Sequence, residues 1–217
     1  MELTPDAELN RQRDLLVAKG LPAMAGLSPA AFAALIDPLR ALVRQVFGGG
    51  MVEPQPLRVP FLLVVTERLA SAEQLLSFTH LVGQREAGRM DPNHGPSGLS
   101  AYRPIEEIEL PEAPVYLLLD VERGDEYCGQ SPQDAQERVF ERGRSPLTVH
   151  EGIALLTQHP ATLDAAYGYF LAGSRRGDRR VPALWSSAGA PKLSWCWQGN
   201  PHSWLGMASA DQRAYAE

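Results

Sequence analysis

Apolar residues recur at helical spacing through the first fifty positions, then gather into short runs broken by glycine and proline. Residues 6–19 place Leu9, Leu15, Leu16 and Val17 among polar neighbours, and Gly20 ends the segment, which predicts an opening helix. Ser28 followed by Pro29 has the form of a helix start: a hydroxyl cap, then proline in the first turn. Phe32, Leu35, Ile36, Leu39, Leu42, Val43 and Val46 carry that pattern to Phe47, and Pro38 predicts a kink or break near Asp37. Three glycines at 48–50 and prolines at 54, 56 and 60 read as a linker. They divide the chain into an N-terminal helical segment, 1–50, and a main body, 51–217.

In the body the periodicity alternates. Residues 59–66 form a continuous apolar run that suits a buried strand, and 115–121 form the strongest strand pattern of the chain. Ser71 to Gln74 and Thr148 to Glu151 have the form of capping boxes, each opening an apolar helix. Ser131 caps another helix, which runs to about Glu141 and ends at Gly143. Pro160 closes the helix that starts at Thr148, and a further helix is expected over 162–171, with Gly173 as its stop. Residues 83–98 are polar and glycine-rich and read as a long loop; Ile105, Ile108 and Leu110 mark a weakly extended segment. Residues 181–187 and 192–197 read as antiparallel strands joined at 188–190, because so short a link cannot support a parallel crossover. The expected fold is α+β: an N-terminal helical segment packed on a body with a mixed sheet of about five strands and a C-terminal hairpin, folding as one cooperative unit.

Composition narrows the partners. The chain has 217 residues, 44% hydrophobic and 21% charged, as a globular core requires. A net charge of −6 argues against bulk attraction to nucleic acid or an anionic membrane. No apolar run reaches the length needed to cross a bilayer, and the opening residues lack the basic start and apolar stretch of a signal peptide. Cys128 and Cys196 do not make a disulfide framework, so the expected location is cytoplasmic, with reduced thiols.

Three strings are distinctive. Residues 143–155 read Gly-Arg-Ser-Pro-Leu-Thr-x-x-Glu-Gly-x-Ala-Leu, and 173–185 read Gly-Ser-Arg-x-Gly-Asp-Arg-Arg-Val-Pro-Ala-Leu-Trp. Residues 190–206 read Ala-Pro-Lys-Leu-x-Trp-Cys-Trp-x-Gly-Asn-Pro-His-x-Trp-Leu-Gly. On these the chain resembles a bacterial family of uncharacterised proteins. The resemblance implies one shared design from the N-terminal helices to the C-terminus and implies no activity.

The chemistry concentrates in the last third. Arg175, Arg176, Arg179 and Arg180 fall within six residues around Gly177, and all four tryptophans lie between Trp185 and Trp204. Alternating guanidiniums can fork onto carboxylates or phosphates, or can form an internal network with Asp178 and distant acids. Arg179 and Arg180 enter a strand, so their side chains should diverge, one for structure and one for a ligand. Trp195 and Trp197 share one strand face, where they can stack a planar group or pack on a helix, and Cys196 points the other way, toward the core. Asn200 and Pro201 shape a turn that presents His202 and Trp204. The expected function is a binding or interaction protein that holds a small anionic ligand, an aromatic group or a protein partner through Arg175, Arg176, Arg179, Arg180, Trp197, Asn200, His202 and Trp204. The alternative is an enzyme acting on a small anionic substrate, with His202 as acid/base and the arginines as clamp. No paired metal-ligand spacing is present. Asp91, Asn93 and His94 read as a turn before a cation site, and Asp120, Glu122, Asp125 and Glu126 as a solvated turn before a Mg²⁺ site. No phosphate loop or dinucleotide fingerprint occurs in the right context, so no cofactor is expected.

Overall fold

A computed structural model describes residues 4–48 and 50–216. Gly49 of the linker, the terminal Glu217 and residues 1–3 of the opening stretch lie outside the described residues.

The chain opens with α1 (Pro5–Ala18), whose first turn is capped by the Thr4 side chain accepting from the Ala7 amide. Gly20, in the left-handed region at φ 85°, turns it into the short α2 (Leu21–Met24). The long apolar pattern that follows breaks at Pro38, giving α3 (Pro29–Ile36), capped by Ser28, and α4 (Leu39–Phe47). Phe32, Ile36, Leu39 and Val43 are buried, so both pieces turn one stripe inward.

Then come β1 (Arg58–Val65) and α5 (Ala72–Leu76). The Ser71/Gln74 capping box forms as expected, but α5 ends early: the Ser77 and Thr79 hydroxyls bond the carbonyls of Gln74 and Leu76 and turn the chain away. The long loop over 83–98 holds the two-residue β2 (Arg89–Met90) and a 3₁₀ turn at Pro92–His94; a second 3₁₀ turn, Gly98–Ala101, and β3 (Arg103–Pro104) follow it. Next are β4 (Val115–Glu122), α6 (Pro132–Glu141), β5 (Ser145–Pro146) and α7 (Val149–Gln158). The remainder is β6 (Gly168–Phe170), β7 (Ser174–Arg175), β8 (Arg180–Ser187), β9 (Ala190–Trp197), β10 (Leu205–Met207), β11 (Ser209–Ala210) and β12 (Gln212–Ala214).

The helix expected over 162–171 does not form; a 3₁₀ turn at Pro160–Thr162 leads instead to β6. The Asp164 side chain accepts from the Ala166 and Tyr167 amides, fixing a turn there. Gly168 then passes so close to the neighbouring strand that a Cβ would strike the Leu184 carbonyl. Pairing with β8 and burial of Tyr169 and Phe170 override the local helical pattern.

The mixed five-stranded sheet is present, in the order β10-β6-β8-β9-β2, and carries the C-terminal hairpin. The pairs β10/β6 and β2/β9 are parallel; β6/β8 and β8/β9 are antiparallel. The hairpin turns on Ala188 and Gly189 at φ 50° and 75°, the doubly left-handed geometry that matches strand twist. The two strongest strand patterns build a second sheet, β1-β4-β11-β5, with β12 also on β4 and every pair antiparallel. A third, two-stranded sheet joins β3 and β7. One apolar core runs from Leu9, Phe32 and Ile36 through Phe61 and Leu117 to Ile153 and Leu156. A smaller one lies between α6 and the hairpin sheet, around Val139, Phe170, Val181 and Met207. No helix among the described residues is long and apolar enough to cross a membrane.

Candidate functional site

The register of β8 on β9 sets the faces of the tryptophan strand. Arg180 pairs with Trp197, Val181 with Cys196 and Pro182 with Trp195. Because side chains alternate, Arg180, Trp195 and Trp197 share one face, and Cys196 lies on the other with Val181, Ala183 and Trp185. The Trp195 and Trp197 rings meet edge to face at 4.9 Å. The Arg180 guanidinium lies 4.5 Å above Trp195 and 6.0 Å from Trp197, and the Trp195 indole N–H donates to the Asn93 carbonyl. Trp197 stays 49% exposed. Cys196 is half-buried and burial pushes its thiol up to about 11, which makes it a poor nucleophile at neutral pH.

The arginine segment folds largely on itself. Gly177 turns at φ 79°, and Asp178 accepts from the Arg180 amide while standing 3.6 Å from Arg176 Nε and 3.5 Å from Arg180 Nε. Arg176 donates to the His94 carbonyl at 2.6 Å and lies over the Tyr102 ring. Arg175 points to α6, donating to the Ala172 and Ser174 carbonyls and to Gln136 Oε1. Burial, with only Glu107 and Tyr102 opposing, lowers its pKa to about 10. Arg179 is exposed and forms no ion pair among the described residues. Arg180 is therefore the anchored member of the Arg179/Arg180 pair.

His202 and Trp204 belong to the opposite face. His202 packs on Phe170, with centroids 6.3 Å apart, and on Trp204 at 5.5 Å; Trp204 meets Trp185 edge-on at 5.7 Å. Phe170 pairs with Ala183, on the Cys196 side of the sheet. Burial lowers the His202 pKa, and its buried Nε2 has no hydrogen-bond partner among the described residues. Asn200 is exposed at the turn tip, its amide bonded to the Trp197 carbonyl. The sheet thus separates His202 from the face that carries Arg180, Trp195 and Trp197.

The acidic groups flagged in the sequence meet guanidiniums. Asp120 pairs with Arg58 at 2.6 Å and Arg144 at 2.8 Å, Asp125 with Arg123 at 2.6 Å and Glu126 with Arg142 at 2.6 Å; Glu122 lies 3.3 Å from Arg142 and Arg144. Burial would raise the Asp91 carboxyl, but Lys192, the Asn93 amide and Ser194 hold it down at about 2. These contacts organise the fold.

A second place was not singled out by sequence. A cleft of about 250 Å³ opens where β1, β4, the β3/β7 pair and the start of α7 meet. His150 lines it, and the Nε2 of that side chain, itself buried, has no hydrogen-bond partner among the described residues. In sequence His150 lies inside a capping box, which accounts for Thr148 and Glu151 and draws attention away from the residue between them.

The model of a family of unknown function matches residues 15–216. No curated protein and no solved structure matches the chain.

Proposed function

The chain belongs to that family, DUF5701, and from this premise we propose that it is a binding protein whose Arg180–Trp195–Trp197 face holds an aromatic or anionic group. The observation that carries this reading is the exposure of Trp197: a large ring left 49% open to solvent beside a tryptophan already covered by a guanidinium. Aromatic stacking on such a ring contributes about 0.5–1.5 kcal/mol beyond the area it buries. The Arg180 charge beside it favours ligands that are planar and negative. A cytoplasmic location fits the two free cysteines.

The test is tryptophan fluorescence and thermal melting against a panel of nucleotides, aromatic carboxylates and inorganic phosphate. Trp197→Ala should abolish capture and leave the melting temperature within about 2 °C, as for a surface change. Arg180→Ala should weaken capture and also cost about 1 kcal/mol, because it uncovers Trp195 and frees Asp178. Arg179→Ala should leave melting unchanged. If no panel member shifts any curve, small-ligand binding is rejected and a protein partner on this face replaces it.

A further inference from the structure

We propose that Arg103 and Arg175, which face each other across the β3/β7 pair, form a second binding site, for a doubly charged phosphate group, either inorganic phosphate or the end of a small phosphomonoester. The site uses neither Trp195 nor Trp197 and does not depend on that face binding anything.

The backbone sets the pair. In the antiparallel register Arg103 lies directly opposite Arg175, and Pro104 opposite Ser174. Residues directly opposite point to the same side of the ribbon, with Cβ atoms about 4.5–5.5 Å apart, and like charges placed there destabilise the pairing. The two side chains also fold in the same way. Arg103 Nη1 donates to the Tyr102 carbonyl just before it and to the Ser100 carbonyl three residues before it. Arg175 Nη1 donates to the Ser174 carbonyl at 3.0 Å and to the Ala172 carbonyl at 2.7 Å, at the same two offsets. Each guanidinium is thus pinned to its own strand before any ligand arrives, which removes part of the ordering cost of binding.

Every acceptor that these guanidiniums meet is neutral. Besides the carbonyls, Gln136 Oε1 of α6 accepts from Arg175 Nη2. Neither arginine forms an ion pair among the described residues, and the nearby Asp178 faces Arg176 and Arg180. Glu107, whose charge bears on Arg175, is exposed and pairs with neither. Donors remain for a ligand. Arg103 is exposed, and its Nε and Nη2 have no partner among the described residues. Arg175 is half-buried; its Nε is also unpartnered there and is not sealed from solvent. Two fixed positive charges without a counterion select a doubly negative group, and arginine forks match the oxygens of phosphate. A carboxylate neutralises only one of the two.

The experiment is calorimetric titration of the full chain at pH 8 and low salt, where charge is least screened. The probes are inorganic phosphate, glycerol phosphate and, as the singly charged control, acetate. Phosphate and glycerol phosphate should each bind saturably, about tenfold or more tightly than acetate. Tighter binding of glycerol phosphate than of phosphate assigns the site to a phosphomonoester; equal or weaker binding assigns it to free phosphate. Arg103→Gln should weaken both by about tenfold or more. Arg103→Glu should abolish both and raise the melting temperature, because it sets a carboxylate directly across from Arg175. Binding at this pair should survive Trp197→Ala and Arg180→Ala, which keeps the result apart from capture on the tryptophan face. The proposal is overturned if phosphate binds no more tightly than acetate, if Arg103→Gln binds phosphate as wild type does, or if Arg180→Ala removes the binding instead. Should Arg103→Glu fail to fold, Arg103→Gln and the wild-type comparison decide alone.

Discussion

His159 shows how burial beside a fixed charge retunes a residue. It closes α7 with its Nε2 3.6 Å from Glu8 Oε1 and 3.4 Å from an Arg11 nitrogen. Burial, then the Arg11 charge, pushes its pKa down to about 4, against the opposing pull of Glu8. The folded chain therefore binds this proton less readily than the unfolded chain does. The stability this gives is full above the unfolded value near 6.5 and is lost as pH falls toward 4. Across that window the loss is on the order of 3 kcal/mol. His94, His150 and His202 are also lowered by burial and act in the same direction. Urea unfolding at pH 7.5 and at pH 4.5 checks this, and His159→Gln should flatten the difference. Equal wild-type stability at the two values would contradict it. Nothing in the local sequence around His159 announces its burial, because the covering atoms come from α1, almost 150 residues away in the chain.

Helix starts were legible in the sequence because a cap is a contact across three residues. Ser28, Ser71, Ser131 and Thr148 each accept from the amide three positions on, as their types predict. The strands β2, β3, β5, β7 and β11 were not legible. Each is two residues long and exists only through its partner. The edge of β1 illustrates a device invisible to periodicity. Gln12 of α1 donates from Nε2 to the Phe61 carbonyl at 3.1 Å and accepts at Oε1 from the Leu63 amide at 2.6 Å. One side-chain amide thus replaces a neighbouring strand and fixes the helical segment to the sheet. Gln12→Ala leaves two buried backbone groups unpaired and should cost about 2–4 kcal/mol in chemical denaturation. The Leu63 amide should also exchange with solvent faster. Unchanged exchange there would mean that another group covers the edge.

At the scale of the molecule, Arg213 closes the fold. It reaches from β12 to the fully buried Glu151, with both oxygens bonded at 2.6 and 2.8 Å. Glu151 also accepts from the Tyr116 hydroxyl of β4 and from the Thr148 amide at the start of α7. One carboxylate thereby ties the last strand, the central strand and a helix terminus together. Arg213→Ala strands that charge in the core and should cost about 3–5 kcal/mol. In a chain of this size that lowers the melting temperature by roughly 10 °C. Adding Glu151→Gln should restore part of the loss in calorimetry; a double variant less stable than Arg213→Ala would show that the buried charge is not the cause.

By itself, the sequence determined what depends on neighbours a few residues apart. It placed the capped helix starts at Ser28, Ser71, Ser131 and Thr148, the break at Pro38, the two long buried strands and the hairpin. It also set Trp195 and Trp197 on one face and Cys196 on the other, since alternation in a strand is a property of the backbone. Tertiary structure decided which of the distinctive residues meet. Arg176 finds the His94 carbonyl 82 positions away, and Arg180 is anchored by Asp178 and the tryptophans while Arg179 stays free of ion pairs among the described residues. The sheet places His202 on the far side from Arg180, although the two are close in sequence. The cleft at His150 exists only because β1, β4, β3 and α7 converge there. Caps and alternation are decided by local geometry. Pairing across the fold is decided by which surfaces bury each other, and no short window of sequence contains that information.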